Sequence, residues 1–357
     1  MNAQLEALER ASGAVFTLST DRALPARFST VESEWTAVRQ RCGLLDAGFR
    51  GLLRLTGTDR VTFLQGMVSN DVARLKDGEG TYAALLTQQG KVVSDLRVYV
   101  LADEVWLDVP AAQAAAVRES LERFIIADDV EFVSDANWAP LVAIEGPQAD
   151  RVLVGVTGES VAGTPPYAHR AGTFDGAVVR VVATTHTGER GYLLLGDPAT
   201  GARLWERCRA AGAEPVGMEA LDVLRVEAGI PWHGRDFDDS TLIGEVGLET
   251  AISYQKGCYL GQEVVERVAA RGQVHRKLVG LVCEGSSVPP HGTKLMRDGK
   301  EVGWITSAVQ SPAREAVIAL GYTRRECWDV GSEMHATVAD GMITAHIVAL
   351  PFYAIPS

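Results

Sequence analysis

Residues 256–263 read Lys-Gly-Cys-Tyr-Leu-Gly-Gln-Glu, which sets one thiol between two glycines and beside a cation. Gly257 and Gly261 let the backbone turn sharply and bring a main chain close to a ligand or partner. Lys256 stands two residues before Cys258, and a positive neighbour favours thiolate over thiol. Cys258 is therefore the candidate reactive or metal-contacting sulfur of the chain. The other reading is a tight turn whose cysteine is a small apolar filler, since free cysteine is among the most often buried side chains.

Three further groups have the chemistry to hold a ligand. Glu189, in Thr187-Gly188-Glu189-Arg190-Gly191-Tyr192, sits on a glycine-flanked turn between two apolar strands. A carboxylate fixed there accepts paired hydrogen bonds from an amino group and an adjacent ring N–H, or else stands in water. Arg225, in Leu224-Arg225-Val226-Glu227-Ala228-Gly229, presents a guanidinium that suits a carbonyl or carboxylate, or pairs with Glu189 or Glu227 as an interior salt bridge. Tyr82 and Asp95 lie on neighbouring apolar stretches, in Gly80-Thr81-Tyr82 and Ser94-Asp95-Leu96. The seven histidines show no metal spacing, and His233, in Trp232-His233-Gly234-Arg235, reads as a loop hydrogen-bonder. Walker-type and dinucleotide-binding glycine patterns are absent.

These residues need a scaffold, and 357 of them suffice for two or three compact units. With 46% hydrophobic and 22% charged residues, the composition is ordinary globular. The net charge of −12 argues against a protein that grips a nucleic-acid backbone. Met1–Arg10 lacks the apolar run of a secretory signal and no stretch reaches membrane-span length, so a cytoplasmic protein with no membrane partner is expected. Cys42, Cys208, Cys258, Cys283 and Cys327 are odd in number and scattered, which suits a reducing compartment and offers no four-thiolate nest for a metal or cluster.

Two segments share a phrase: Gly57-Thr58-Asp59-Arg60-Val61 and Gly146-Pro147-Gln148-Ala149-Asp150-Arg151-Val152 each read as a glycine turn followed by an apolar helix. Strands near 82–87, 91–101 and 105–109 follow the first, then a helix over 111–124. Strands near 177–183 and 191–196 follow the second, then a helix over 199–211 stopped by Gly212. This predicts two related α+β units, each a helix, an antiparallel meander and a second helix. A further helix spans 218–228. Beyond Gln273 short β-rich segments with Asp298-Gly299 and Asp340-Gly341 turns read as a small barrel or sandwich.

The octapeptide resembles the Lys-Gly-Cys-Tyr/Phe-x-Gly-Gln-Glu signature of the YgfZ family, folate-binding relatives of the glycine cleavage T-protein, at Lys256, Gly257, Cys258, Tyr259, Gly261, Gln262 and Glu263. The resemblance extends through Gly244–Glu249 and Arg267, and more loosely over nearly the whole chain. It implies an α+β, T-protein-like three-domain arrangement: two related α+β units around a central pocket plus a C-terminal β-barrel. The expected domains are 1–52 with 137–250, then 53–136, a signature connector 251–272, and 273–357.

The resemblance further implies a tetrahydrofolate-binding accessory protein that supports assembly or repair of iron-sulfur proteins, and so indirectly tRNA thiolation. In it Glu189, Arg225, Tyr82 and Asp95 contact the folate, and Cys258 with Lys256 acts on an iron-sulfur client. The alternative is an aminomethyltransferase of glycine cleavage or a related folate-dependent demethylating enzyme. Two departures from the T-protein pattern speak against that alternative: Ser94-Asp95 replaces a pair of acids, and Pro110 stands where an asparagine is expected.

Overall fold

The computed structural model describes residues 3–19, 22–134, 137–271, 274–339 and 341–354. The chain divides into two compact units, the first made of residues 1–85, 93–221 and 250–260. Its first half runs α1 (Ala3–Ala11), β1 (Val15–Ser19), β2 (Arg22–Arg27), α2 (Val31–Gln40), β3 (Gly43–Asp46), β4 (Arg50–Thr56), α3 (Arg60–Met67), β5 (Gly80–Leu86), β6 (Val92–Val100), β7 (Val105–Pro110), α4 (Ala114–Glu122) and β8 (Glu131–Phe132). The second half runs β9 (Ala139–Glu145), α5 (Ala149–Thr157), β10 (His169–Phe174), β11 (Ala177–Ala183), β12 (Gly191–Gly196), α6 (Gly201–Ala210), β13 (Glu214–Pro215) and the start of α7 (Met218–Glu227), whose residues from Asp222 on belong to the second unit.

The internal repetition expected from the shared phrase is present in the topology. One sheet has the strand order β5-β6-β7-β4-β8 and the other β10-β11-β12-β9-β3-β13. Each half is thus a strand, a helix, a three-strand meander, a second helix and a short closing strand. The second sheet differs in taking β3 as an extra strand between β9 and β13. The shared glycines explain why the phrase is kept. Gly57 and Gly146 have φ of +99° and +135°, and a Cβ would stand 1.9 Å from Asp129 O at the first and 2.5 Å from Val38 O at the second. Only glycine fits such a turn against another main chain.

Alternation along β6 (Val92–Val100) divides its side chains between two environments. Leu96 and Val98, fully buried, and Val100 pack with Leu64, Leu107, Val117 and Leu121. Asp95, Arg97 and Tyr99 alternate with them on the opposite, polar face. The second sheet packs Leu44, Ile144 and Leu194 against Val152 and Leu153 of α5 and Leu204, Trp205 and Cys208 of α6.

The expected separation of residues 53–136 from 137–250 differs from this division, since both sheets fall in the first unit. The physical reason is a buried network in which the Arg97 guanidinium, paired with Asp108 of one sheet, hydrogen-bonds His186 and Thr185 beside the other, as described below.

The second unit comprises residues 86–92, 222–249 and 261–357. It contains α8 (Ile243–Val246), α9 (Gln262–Arg271) and six strands: β14 (Arg276–Cys283), β15 (Lys294–Arg297), β16 (Lys300–Ser311), β17 (Ala316–Arg324), β18 (Glu333–Val338) and β19 (Gly341–Val348). They close into a barrel in the order β14-β17-β16-β15-β18-β19, with β14 paired to both β17 and β19. The Asp298-Gly299 hairpin forms as expected, with φ of +51° and +73° at the two turn residues. Asp340 of the second such turn lies outside the described residues. Among those residues no helix is long and apolar enough to cross a membrane.

Replacing Gly57 by alanine is expected to destabilise the protein by about 2 kcal/mol or more, because the new Cβ collides with main chain rather than with a movable side chain. Chemical denaturation of Gly57→Ala beside Gly66→Ala, where a Cβ meets nothing within 4 Å, checks this. Equal midpoints for the two variants would contradict it.

Candidate functional site

The polar face of β6 carries the candidate chemistry. Tyr82 and Asp95 are both half-buried, and the Tyr82 hydroxyl donates to Asp95 Oδ2 at 3.0 Å. Burial first, and then the Asp95 charge, push the Tyr82 hydroxyl well above its ordinary range, so it remains a donor. The Tyr82 ring stacks on Tyr167, with centroids 6.2 Å apart and planes at 20°. Tyr167 has φ of +67°, a conformation costly for a bulky residue and characteristic of sites that hold strain. Nothing in the local sequence marks Tyr167, which lies just before β10 and reaches Tyr82 through the tertiary fold.

Next along the same face, Arg97 Nη1 bonds Asp108 Oδ2 at 3.0 Å and His186 Nε2 at 2.9 Å. Asp108, fully buried, also accepts from Arg50 Nε at 2.6 Å and from the Tyr99 hydroxyl at 2.8 Å. Burial opposes its charge, but the two guanidiniums prevail and hold the carboxyl down to about 2. Because Arg97 can only donate, His186 Nε2 accepts, and His186 Nδ1 therefore donates to Glu145 Oε1 at 2.7 Å. The ring is neutral in this arrangement, and burial, followed by the nearby Arg97 charge, lowers its proton affinity.

Glu189 is 4% exposed. Its Oε1 accepts from Arg39 Nη1 at 2.9 Å, and the same nitrogen donates to Thr187 O at 3.1 Å. The partner of Glu189 is thus an arginine of α2, 150 residues away in sequence, and not Arg225. Arg225 belongs to the second unit and is fully buried there. It donates four hydrogen bonds, to Asp222, Asp236, Ile230 O and Ser307, and its Nη2 also pairs with Asp222. Asp236 also accepts from Thr306 Oγ1 at 2.6 Å and from Trp232 N at 2.9 Å. The arrangement ties the end of α7 to β16.

Lys256 is equally committed. Its ammonium donates to Gln65 O at 2.6 Å, Val68 O at 2.6 Å and Asn70 O at 2.9 Å, closing the C-terminal end of α3. Three carbonyls take all three of its N–H donors, so the ammonium clamps main chain. Burial pulls the ammonium down to about 8, with Asp71 opposing. Asn70 in turn donates to Tyr82 O at 2.8 Å, so the signature segment supports the loop that seats Tyr82. Cys258 is exposed, next to Gly257, around which a Cβ would find nothing within 4 Å. The other four cysteines are buried, and no group of three or more His, Cys, Asp or Glu among the described residues is placed to hold a metal ion.

Two sheets built on one repeated plan and followed by a six-stranded barrel define a T-protein-like fold. The family model for the GCVT N-terminal domain matches residues 5–256, and that for the glycine cleavage T-protein C-terminal barrel domain matches residues 276–354. The chain belongs to the glycine cleavage T-protein family. Among its relatives, an aminomethyltransferase of Prochlorococcus marinus (strain MIT 9313) is 33% identical over 347 residues, covering 94% of this chain and 92% of the relative. One from Synechococcus sp. (strain RCC307) is 34% identical over 332 residues, 92% of each. The crystal structure of glycine cleavage system aminomethyltransferase T from Bartonella henselae superposes with a TM-score of 0.90 over 98% of this chain and 97% of that one, at 24% identity, a likeness of fold.

These relatives correct the function drawn from the octapeptide. Proteins alike over more than nine-tenths of the chain are named aminomethyltransferases, so the accessory role in iron-sulfur assembly, with its client proteins and the link to tRNA thiolation, is replaced by the transferase alternative. The family uses tetrahydrofolate.

Two measurements follow. Arg225→Ala strands Asp236 without its cation, and denaturant titration should show a loss of about 3–5 kcal/mol; a loss below 1 kcal/mol would mean that the pair is dispensable. His169, pulled down to about 4 by burial and by Arg180, and His186 are both held neutral in the folded protein. The unfolded chain protonates them near 6.5, so it binds more protons below that pH. Folding stability should therefore fall as pH drops from 6.5 to about 4. A flat stability profile over that range would contradict it.

Proposed function

We propose that this protein transfers a one-carbon unit from an aminomethyl donor to tetrahydrofolate, as an aminomethyltransferase of the glycine cleavage type. Family membership and the names of full-length relatives support the class of reaction. The observation that carries the reading is the pleat of β6. Ser94, the position at which one of the T-protein acids is lost, is fully buried on the core-facing side, with its hydroxyl donated to Asp95 O at 2.8 Å. Asp95, the acid that remains, lies on the polar face beside Tyr82. The departure at 94 therefore leaves the polar face intact.

The residues suit a pterin. Tyr82 and Tyr167 offer half-buried aromatic faces that flank a planar ring, and the Asp95 and Glu189 carboxylates accept from ring N–H and amino groups. Bound there, tetrahydrofolate supplies two nucleophilic nitrogens that take the carbon as a methylene bridge, while the carbon's C–S bond to the carrier and its C–N bond to the amino group break and release the carrier thiol and ammonia. Asp95 Oδ2 takes the Tyr82 hydroxyl, which leaves Oδ1 to hold or release a proton at the reacting nitrogen. Tyr82 keeps that carboxylate in one orientation. Pro110, the last residue of β7, pairs with Arg50 across the sheet and brings no side-chain amide, so binding rests on the groups named above.

The reaction can be followed with an aminomethyl-loaded lipoylated carrier protein and tetrahydrofolate, scoring methylene-tetrahydrofolate. The unaltered protein should turn over, and Asp95→Asn should lower kcat by roughly 10²–10⁴-fold while the Kd for tetrahydrofolate stays within a few fold. Absence of turnover by the unaltered protein sinks the reading.

A further inference from the structure

We propose that His186 is a positioning residue: clamped between Arg97 of β6 and Glu145 of β9, it fixes the turn that carries Glu189 to the strand that carries Asp95. The proposal rests on the one-carbon-transfer reading above, in which these two carboxylates meet the same substrate.

The imidazole is held at both ends and across its face. Arg97 donates to Nε2 at 2.9 Å, Nδ1 donates to Glu145 at 2.7 Å, and Phe49 meets the ring edge-on with centroids 5.0 Å apart at 86°. A single tautomer satisfies both nitrogens, so the ring acts as a rigid strut. The turn on which it sits has little other freedom. Glu145 also accepts from Thr185 Oγ1, the amides of His186 and Thr187 at 3.0 Å, and Thr187 Oγ1 at 2.6 Å. Arg97 Nη2 reaches Thr185 O at 3.3 Å, and Arg39 holds Thr187 O and Glu189 from α2.

Residues 185–189 are therefore fastened to β9 by Glu145, to α2 by Arg39 and to β6 by Arg97, and His186 is the side chain that links the first fastening to the third. Arg97 stands two residues from Asp95 on the same face of β6, so the strut references Glu189 to the strand bearing Asp95. Removing it leaves Arg97 with Asp108 but ends the side-chain bridge between that strand and Glu145. Each carboxylate keeps its immediate neighbours while their relative placement loosens.

The test compares the unaltered protein with His186→Leu and His186→Gln, whose amide can accept from Arg97 and donate to Glu145. Hydrogen exchange at the amides of residues 185–189 is read without ligand, and the Kd for tetrahydrofolate is read by calorimetry. His186→Leu is expected to speed exchange in the turn and raise the Kd by about tenfold or more, with His186→Gln restoring both to within about threefold. Should His186→Leu fail to fold, His186→Gln and Glu145→Gln carry the comparison, the second loosening the turn and the first preserving it. A folded His186→Leu with unaltered exchange and Kd overturns the proposal, as does a His186→Gln no better than His186→Leu. Failure of the unaltered protein to bind tetrahydrofolate removes the functional reading instead, and the exchange measurement still decides the strut.

Discussion

The structure of the first unit depends on one buried carboxylate, Asp108, and the cations that neutralise it. A charge at full burial is strongly unfavourable without partners. Asp108 has Arg50, Arg97 and the Tyr99 hydroxyl, and through Arg97 it connects to His186 and Glu145. The chain of contacts crosses from the sheet containing β6 and β7 to the sheet containing β9. It runs beside the ring contacts of Tyr82 with Tyr167 and of Tyr99 with His169 where the two repeated halves meet. It also explains why they behave as one compact unit, since separating them would break the Arg97–His186 contact and open the buried charges to water.

The same constraint assigns roles to the cations that the sequence motifs made prominent. Lys256 and Arg225 both sit in distinctive phrases, and both are engaged internally: the first by three carbonyls at the end of α3, the second by Asp222, Asp236, Ser307 and Ile230 O. A donor engaged in this way holds main chain in place. Among the candidate site residues, unused capacity lies with Asp95, whose Oδ1 carries no hydrogen bond among the described residues, and with the half-buried Tyr82 and Tyr167 rings. Function is assigned by what remains after internal demand is met, and that remainder lies on the polar face of β6.

Much of the fold was legible because it rests on local signals. The glycine-helix phrase at 57 and 146, the alternating strands of both meanders, the helix ending before Gly212 and the Asp298-Gly299 hairpin all follow from backbone sterics and side-chain periodicity. Tyr82, Asp95 and Glu189 were also legible as polar residues in strand or turn settings. The alternation of Asp95, Arg97 and Tyr99 with Leu96, Val98 and Val100 was a usable signal for Arg97 as well. By contrast Arg39, Glu145, His186 and Tyr167 had no such mark, because each gains its role from a partner far off in sequence.

By itself, then, the sequence determined the two related α+β units, the barrel and the T-protein-like fold, since these depend on near-neighbour sterics and on patterns spread along the chain. The tertiary structure decided which charges pair. It gave Glu189 to Arg39 and not to Arg225, set Lys256 against three carbonyls at the end of α3, and buried Ser94 fully while Asp95 stayed half-exposed on the polar face. Pairing of buried charges is a long-range matter: which partner removes the desolvation penalty depends on which strands fold together, and sequence spacing carries little record of that.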